Sequence, residues 1–91
     1  MSDYLEDAAL EHWAEIRMLY DRFAEKRPVI LFDIQEQRLY AYPYADFRSE
    51  LNARSQVSLK EQYEQANRDG QVVVFVRDNE ERRLVSFAFD L

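Results

Sequence analysis

The chain has 91 residues, a formal net charge of −6 at pH 7 and no cysteine. Compact domains usually span about 50–250 residues, so we predict one domain over residues 1–91. Without cysteine, the chain has no disulfide and no thiolate metal cluster. The chain is acidic overall, its acidic residues are interleaved with Arg and Lys, and its basic residues form no stripe. This argues against binding to nucleic acid, because that affinity comes largely from neutralised phosphates.

The first residues are acidic and polar, and no apolar stretch approaches the roughly 18 residues that a membrane span needs. We therefore expect neither a secretory signal nor a membrane anchor, and a cytoplasmic location.

Residues 3–26 are predicted to form one helix. Asp3 and Glu6 have the spacing of a capping box at its start, and Pro28 prevents its continuation. Apolar side chains recur at intervals of four and three residues, as on one face of a helix: Leu5, Ala9, Trp13, Ile16, Tyr20 and Phe23.

Two β-hairpins are predicted, each from two runs of β-forming residues around a polar turn. The first pairs residues 29–33 with 38–42, and the second pairs residues 71–78 with 83–89. Pro43 cannot donate a hydrogen bond to a neighbouring strand, so the second run ends there or lies at an edge.

Residues 45–69 are polar and helical in character. Ser58 and Glu61 form a second capping box, and Gly70 is placed to end that helix in the left-handed conformation. Whether residues 46–69 form one helix or two is open, and we favour a break between Asn52 and Val57.

The two hairpins resemble each other. A shift of 45 residues places Asp33 on Asp78 and Arg38 on Arg83. This favours a weak internal duplication with halves of about 1–45 and 46–91, although any two hairpins share alternation and polar turns. We therefore predict an α+β fold in the order αββαββ, with a four-stranded antiparallel sheet of two hairpins and helices on at least one face.

Both faces of this sheet are expected to be apolar. Alternation assigns Val29, Leu31, Tyr40 and Tyr42 to one face together with Val72, Val74, Val76, Val85, Phe87 and Phe89. The other face is covered either by helices or by a second subunit, because monomers rarely leave a large apolar patch in water. We favour a subunit, and the candidate interface residues are Ile30, Phe32, Leu39, Tyr44, Phe75 and Leu84.

Tyr40, Tyr42 and Tyr44 form an unusual cluster. Tyrosine is enriched at interfaces and can stack on a ligand, yet the first two are expected to fill the core. For Tyr44, core and interface are equally favoured.

No residues are predicted to be catalytic, to bind a cofactor or to ligate a metal. His12 and Glu15 lie on one helix surface, but a zinc site needs three or four ligands and the chain has one histidine. A phosphate-binding loop needs several glycines, and the chain has one.

These patterns predict a small, non-catalytic protein–protein interaction or regulatory module that forms a homodimer or binds another protein. The alternative is a small-molecule binding module with a pocket between sheet and helices.

Overall fold

A computed structural model describes residues 4–43 and 53–91, and for residues 53–59 it describes the backbone alone. The fold is α+β. Its elements are α1 (Tyr4–Glu11), α2 (Trp13–Arg22), a 3-10 turn (Ala24–Lys26), β1 (Pro28–Asp33), β2 (Arg38–Pro43), α3 (Ala53–Arg68), β3 (Gln71–Asp78) and β4 (Arg83–Asp90).

The four strands form one sheet in the order β2-β1-β3-β4. Each hairpin is antiparallel, but the central strands β1 and β3 run parallel. The predicted wholly antiparallel sheet is therefore wrong, because the sheet is mixed. A parallel neighbour requires a long crossover connection, and the segment that contains α3 supplies it. Hairpin patterns determine pairing within each hairpin and say little about the direction between hairpins.

The hairpins themselves are confirmed. Asp33 lies opposite Arg38 and Asp78 opposite Arg83, so each turn contains four residues. The last turn residue has positive φ in both hairpins, at 53° and 54°. β2 ends at Pro43 on an outer strand of the sheet, as a residue without an amide proton requires.

The first helical segment is divided, so the predicted order αββαββ is only partly right. α1 ends at Glu11, His12 takes φ −106° and ψ 18°, and α2 begins at Trp13. The His12 amide donates to the Ala9 carbonyl three residues back, which tightens the turn and bends the chain. On either side of the bend, α1 packs on β3 and α2 on β1. Asp3 lies outside the described residues.

The second helical segment is continuous from Ala53 to Arg68, so the predicted break up to Val57 is wrong, and Ser58 lies inside the helix. Gly70 follows with φ +71°, which confirms the predicted left-handed residue. The rest of the segment before Ala53, with Tyr44 and Asn52, lies outside the described residues.

Helices cover both faces of the sheet. On the face of α1 and α2, Leu5, Ala9 and Ile16 are buried with Ile30, Phe32, Val72, Val74 and Val76. On the face of α3, Tyr63 and Ala66 are buried with Val29, Leu31, Val73 and Phe75. The predicted grouping of Val29 with Val74 is therefore wrong, because these side chains point to opposite faces.

The reason for this error is the relation between the hairpins. Ile30 pairs with Val74, one residue out of phase with the 45-residue shift that aligns the sequences. Equivalent residues such as Asp33 and Asp78 therefore point to opposite faces, and the helices of the two halves also lie on opposite faces. This is the arrangement of an approximate two-fold axis that lies in the sheet between β1 and β3. The duplication itself stays a prediction.

Within the described residues, no helix is both long enough and apolar enough to cross a membrane.

Candidate protein interaction edge

Two buried carboxylates end the central strands. Asp33 is 0% exposed and accepts hydrogen bonds from the Arg77 Nε at 2.9 Å and from the Glu36 amide at 3.0 Å. Asp78 is 4% exposed and accepts from the Glu80 amide at 3.1 Å. Each carboxylate therefore caps the turn of its own hairpin, the ordinary role of Asp at the start of a turn.

Burial raises the pKa of Asp33, but the Glu36 amide and the Arg77 guanidinium outweigh it and hold that pKa below its ordinary range. For Asp78, the hydrogen bonds from the Tyr4 hydroxyl and the Gln35 amide lower the pKa. Both groups are ionised near neutral pH. A general acid or base works best with a pKa near the operating pH, so these shifts favour a structural role.

The two turns are joined by Gln35. Its Nε2 donates to Asp78 Oδ1 at 2.7 Å, and its Oε1 accepts from the Asn79 amide at 2.8 Å. The Tyr4 hydroxyl donates to Asp78 Oδ2 at 2.5 Å, and Glu81 Oε2 lies 3.0 Å away. These contacts raise the pKa of Tyr4 and tie the start of α1 to the β3–β4 turn.

In open α/β sheets, ligands usually bind at the carboxyl ends of adjacent parallel strands. At this position in the present sheet, Asp33 contacts Arg77 and Asp78 contacts Gln35. No group of three or more potential metal ligands occurs within residues 4–43 and 53–91. These contacts link the ends of β1 and β3 and the two hairpin turns to each other.

The predicted interface residues do not form one exposed surface. Ile30, Phe32 and Phe75 are at most 1% exposed, so they are core residues of the single chain, and α3 covers the face of Phe75. Leu39 is half-buried on the opposite face. Leu84 is 38% exposed on β4, and Tyr44 lies outside the described residues. A second subunit is not needed to cover the outer face of the sheet.

Tyr40 and Tyr42 are half-buried against the α3 side of the core, with ring centroids 6.1 Å apart. The Tyr40 hydroxyl donates to Glu36 Oε2 at 2.6 Å. Both residues therefore pack against the core but are only partly buried, on the opposite face from the predicted neighbours Val72, Val74 and Val76. The ring of His12 packs against Phe32 at an interplanar angle of 42°, with centroids 4.6 Å apart, and its Nδ1 lies 3.7 Å from Glu15 Oε2.

The outer strand β4 carries apolar side chains beside an edge of the described sheet. It has one neighbour in the described sheet, β3, so its other edge carries backbone groups that face away from the sheet. Leu84 and Ala88 are exposed on the α3 face, while Val85, Phe87 and Phe89 are half-buried on the α1–α2 face. Trp13 extends that strip through an edge contact with Phe89, with centroids 5.6 Å apart.

A shallow groove of about 280 Å³ runs beside β4 on the α3 face. The Ser86 hydroxyl donates to Gln62 Oε1 across it. Its lining is mixed: Gln62, Gln65, Ala66, Gln71, Val73, Ser86, Phe87 and Ala88.

Among the residues of this edge, only Leu84 was a predicted interface candidate. Ser86, Phe87 and Ala88 were missed because alternation assigns faces within a hairpin but not which strand lies outermost. One signal was available: residues 84–89 contain neither a charge nor a proline.

The chain matches no protein-family model, no curated protein and no solved structure.

Proposed function

We propose that this chain is a non-catalytic protein–protein interaction module that binds its partner along the outer edge of β4. The observation that carries the proposal is the composition of this edge: its central residues, 84–89, have no charge and no proline. Natural sheets usually protect outer strands with such residues, because unpaired backbone groups otherwise recruit another strand. A strand whose six central residues lack both kinds of protection fits recognition by strand addition.

The side chains of β4 supply specificity to such a contact. The half-buried Phe87 and Phe89 and the neighbouring Trp13 offer aromatic surface, the kind enriched at interface centres. On the other face the groove beside Ala88 can receive a side chain from the added strand.

Two double variants test the use of this edge. The edge-lysine variant, Ser86→Lys with Ala88→Lys, places two charges on β4. The helix-lysine control, Leu10→Lys with Met18→Lys, adds the same charge at helix positions that are 47% and 67% exposed. We expect wild type and control to retain the same proteins from an extract of the source cells, and the edge-lysine variant to lose them. Equal retention by all three would contradict the proposal.

The groove favours a second candidate function, binding of a small molecule between α3 and β4. A ligand that binds only the folded chain raises its apparent stability. A thermal-shift screen against metabolites therefore separates the two functions: a stabilising compound whose effect is lost in Gln62→Ala and Gln65→Ala supports the groove as a ligand site. If no metabolite shifts the melting temperature, the interaction edge on β4 stays the favoured function.

A further inference from the structure

We propose that the partner of β4 is β4 of a second copy of this chain, paired antiparallel across a two-fold axis, so that two four-stranded sheets become one sheet of eight strands. This inference rests on the proposed function, since it names the partner of the same edge.

The two outer strands differ in how well they are protected. β2 has six residues and ends at Pro43, which cannot donate to an added strand. A charged group also lies along β2, because the Arg38 guanidinium is 5.3 Å from the centre of the Tyr40 ring. β4 has eight residues, and its charges, Arg83 and Asp90, lie only at its two ends. The edge of β4 is therefore the favoured pairing site.

The positions of these end charges favour an antiparallel partner. An antiparallel copy brings the Arg83 end of one strand beside the Asp90 end of the other, at both ends of the contact. A parallel copy would place like charges side by side, which is destabilising.

The side chains of β4 favour the register that has Phe87 on the two-fold axis. Residues directly opposite each other in an antiparallel pair point to the same face. With Phe87 on the two-fold axis, Val85 lies opposite Phe89 of the copy, and the apolar strip of the α1–α2 face runs across the junction. On the α3 face, the small Ser86 lies opposite the small Ala88. Moving the axis to Ser86 would instead place Phe89 opposite Arg83.

The expected affinity is moderate. Stable two-fold contacts bury roughly 1,200–2,000 Å² in total, and one added strand supplies only part of this area. The half-buried Phe87 and Phe89 and the neighbouring Trp13 add apolar surface beside the junction. We therefore expect association in the micromolar range.

Sedimentation of purified protein from low micromolar to millimolar concentration tests the pairing. Wild type and the helix-lysine control should reach twice the monomer mass. The edge-lysine variant should remain monomeric or dissociate with a constant raised roughly tenfold or more, because the lysines introduced at positions 86 and 88 of the two copies oppose each other. Wild type that stays monomeric throughout would overturn the inference, as would an edge-lysine variant that dimerises like wild type.

Cysteine pairs test the register, since the natural chain has no cysteine. Ser86→Cys and Ala88→Cys, mixed in equal amounts and oxidised, should form a disulfide between the two variants, because opposed residues lie within disulfide distance. Each variant alone should cross-link far less, as should Met18→Cys, an exposed helix control. Cross-linking of Ser86→Cys by itself would contradict the register with Phe87 on the axis.

Failure of the inference and failure of the proposed function give different results. If wild type is monomeric but retains another protein through β4, only the second copy is excluded. If neither a second copy nor another protein binds through β4, the interaction edge is excluded as well.

Discussion

At the residue scale, Asp33 shows how a buried charge is made tolerable in this fold. The carboxylate is fully buried, yet it accepts hydrogen bonds from the Glu36 amide and from Arg77, whose side chain is 35% exposed. Because Arg77 reaches solvent, the Coulombic attraction between Asp33 and Arg77 is screened. The hydrogen bonds to Asp33 therefore supply much of the stabilisation. The residue fixes both the first turn and the parallel pairing of β1 with β3.

Replacing Asp33 with Asn should lower the free energy of unfolding by about 1–3 kcal/mol near neutral pH, since the buried site loses its charge-assisted hydrogen bonds. The effect should depend on pH. The pKa of Asp33 is below its ordinary value of 3.8 in the folded chain, so its stabilisation is fully present above that value and is lost as the pH falls through the folded pKa. Urea unfolding of both proteins should therefore show a difference at pH 7 that shrinks below about pH 4. A difference that grows in acid would contradict this assignment.

At Gly70, the free-energy cost of a left-handed backbone conformation can be measured without a steric clash. Its φ is +71°, and a Cβ atom built there meets nothing within 4 Å. Gly70→Ala should cost about 1 kcal/mol, because only the left-handed conformation opposes the new side chain. Gly70→Asn should cost less, since Asn tolerates that conformation better. Chemical denaturation of the three proteins measures both values, and an alanine variant as stable as wild type would remove the argument.

At the scale of elements, the bend at His12 lets one amphipathic segment cover two strands. α1 lies over β3 and α2 over β1, so neither helix alone closes this face. The start of α1 is held by the Tyr4 hydroxyl on Asp78, a contact between residues 74 apart in sequence.

Tyr4→Phe removes that hydroxyl and keeps the ring. We expect amide hydrogen exchange within α1 to accelerate, while exchange in β1 and β3 stays unchanged, because Leu5 and Ala9 still pack in the core. Tyr40→Phe, which removes a hydroxyl bound to Glu36 on the other face, serves as a control and should leave α1 unaffected. Unchanged exchange in α1 of the Tyr4 variant would show that the hydroxyl does not hold the helix.

At the scale of the whole molecule, the limits of sequence reasoning have a physical origin. The hairpins, their turns and Gly70 were predictable because they depend on neighbours in sequence, whereas the ion pair of Asp33 with Arg77 joins residues 44 apart in sequence. The parallel pairing of β1 with β3 was not, because it depends on the path of the segment that contains α3. Once that direction was missed, Phe75 was assigned to a subunit interface and Val29 was placed on the same sheet face as Val74. Of the candidate edge, only Leu84 was found.

The most direct test of the proposed edge is amide hydrogen exchange along β4, followed by NMR as a function of protein concentration. In an outer antiparallel strand, alternate amides point away from the sheet and exchange readily. We predict that these amides among residues 84–89 become protected as wild-type concentration rises towards the millimolar range, and that they stay unprotected in the edge-lysine variant. Outward amides that exchange equally fast in wild type at all concentrations would contradict pairing of β4 with a second copy.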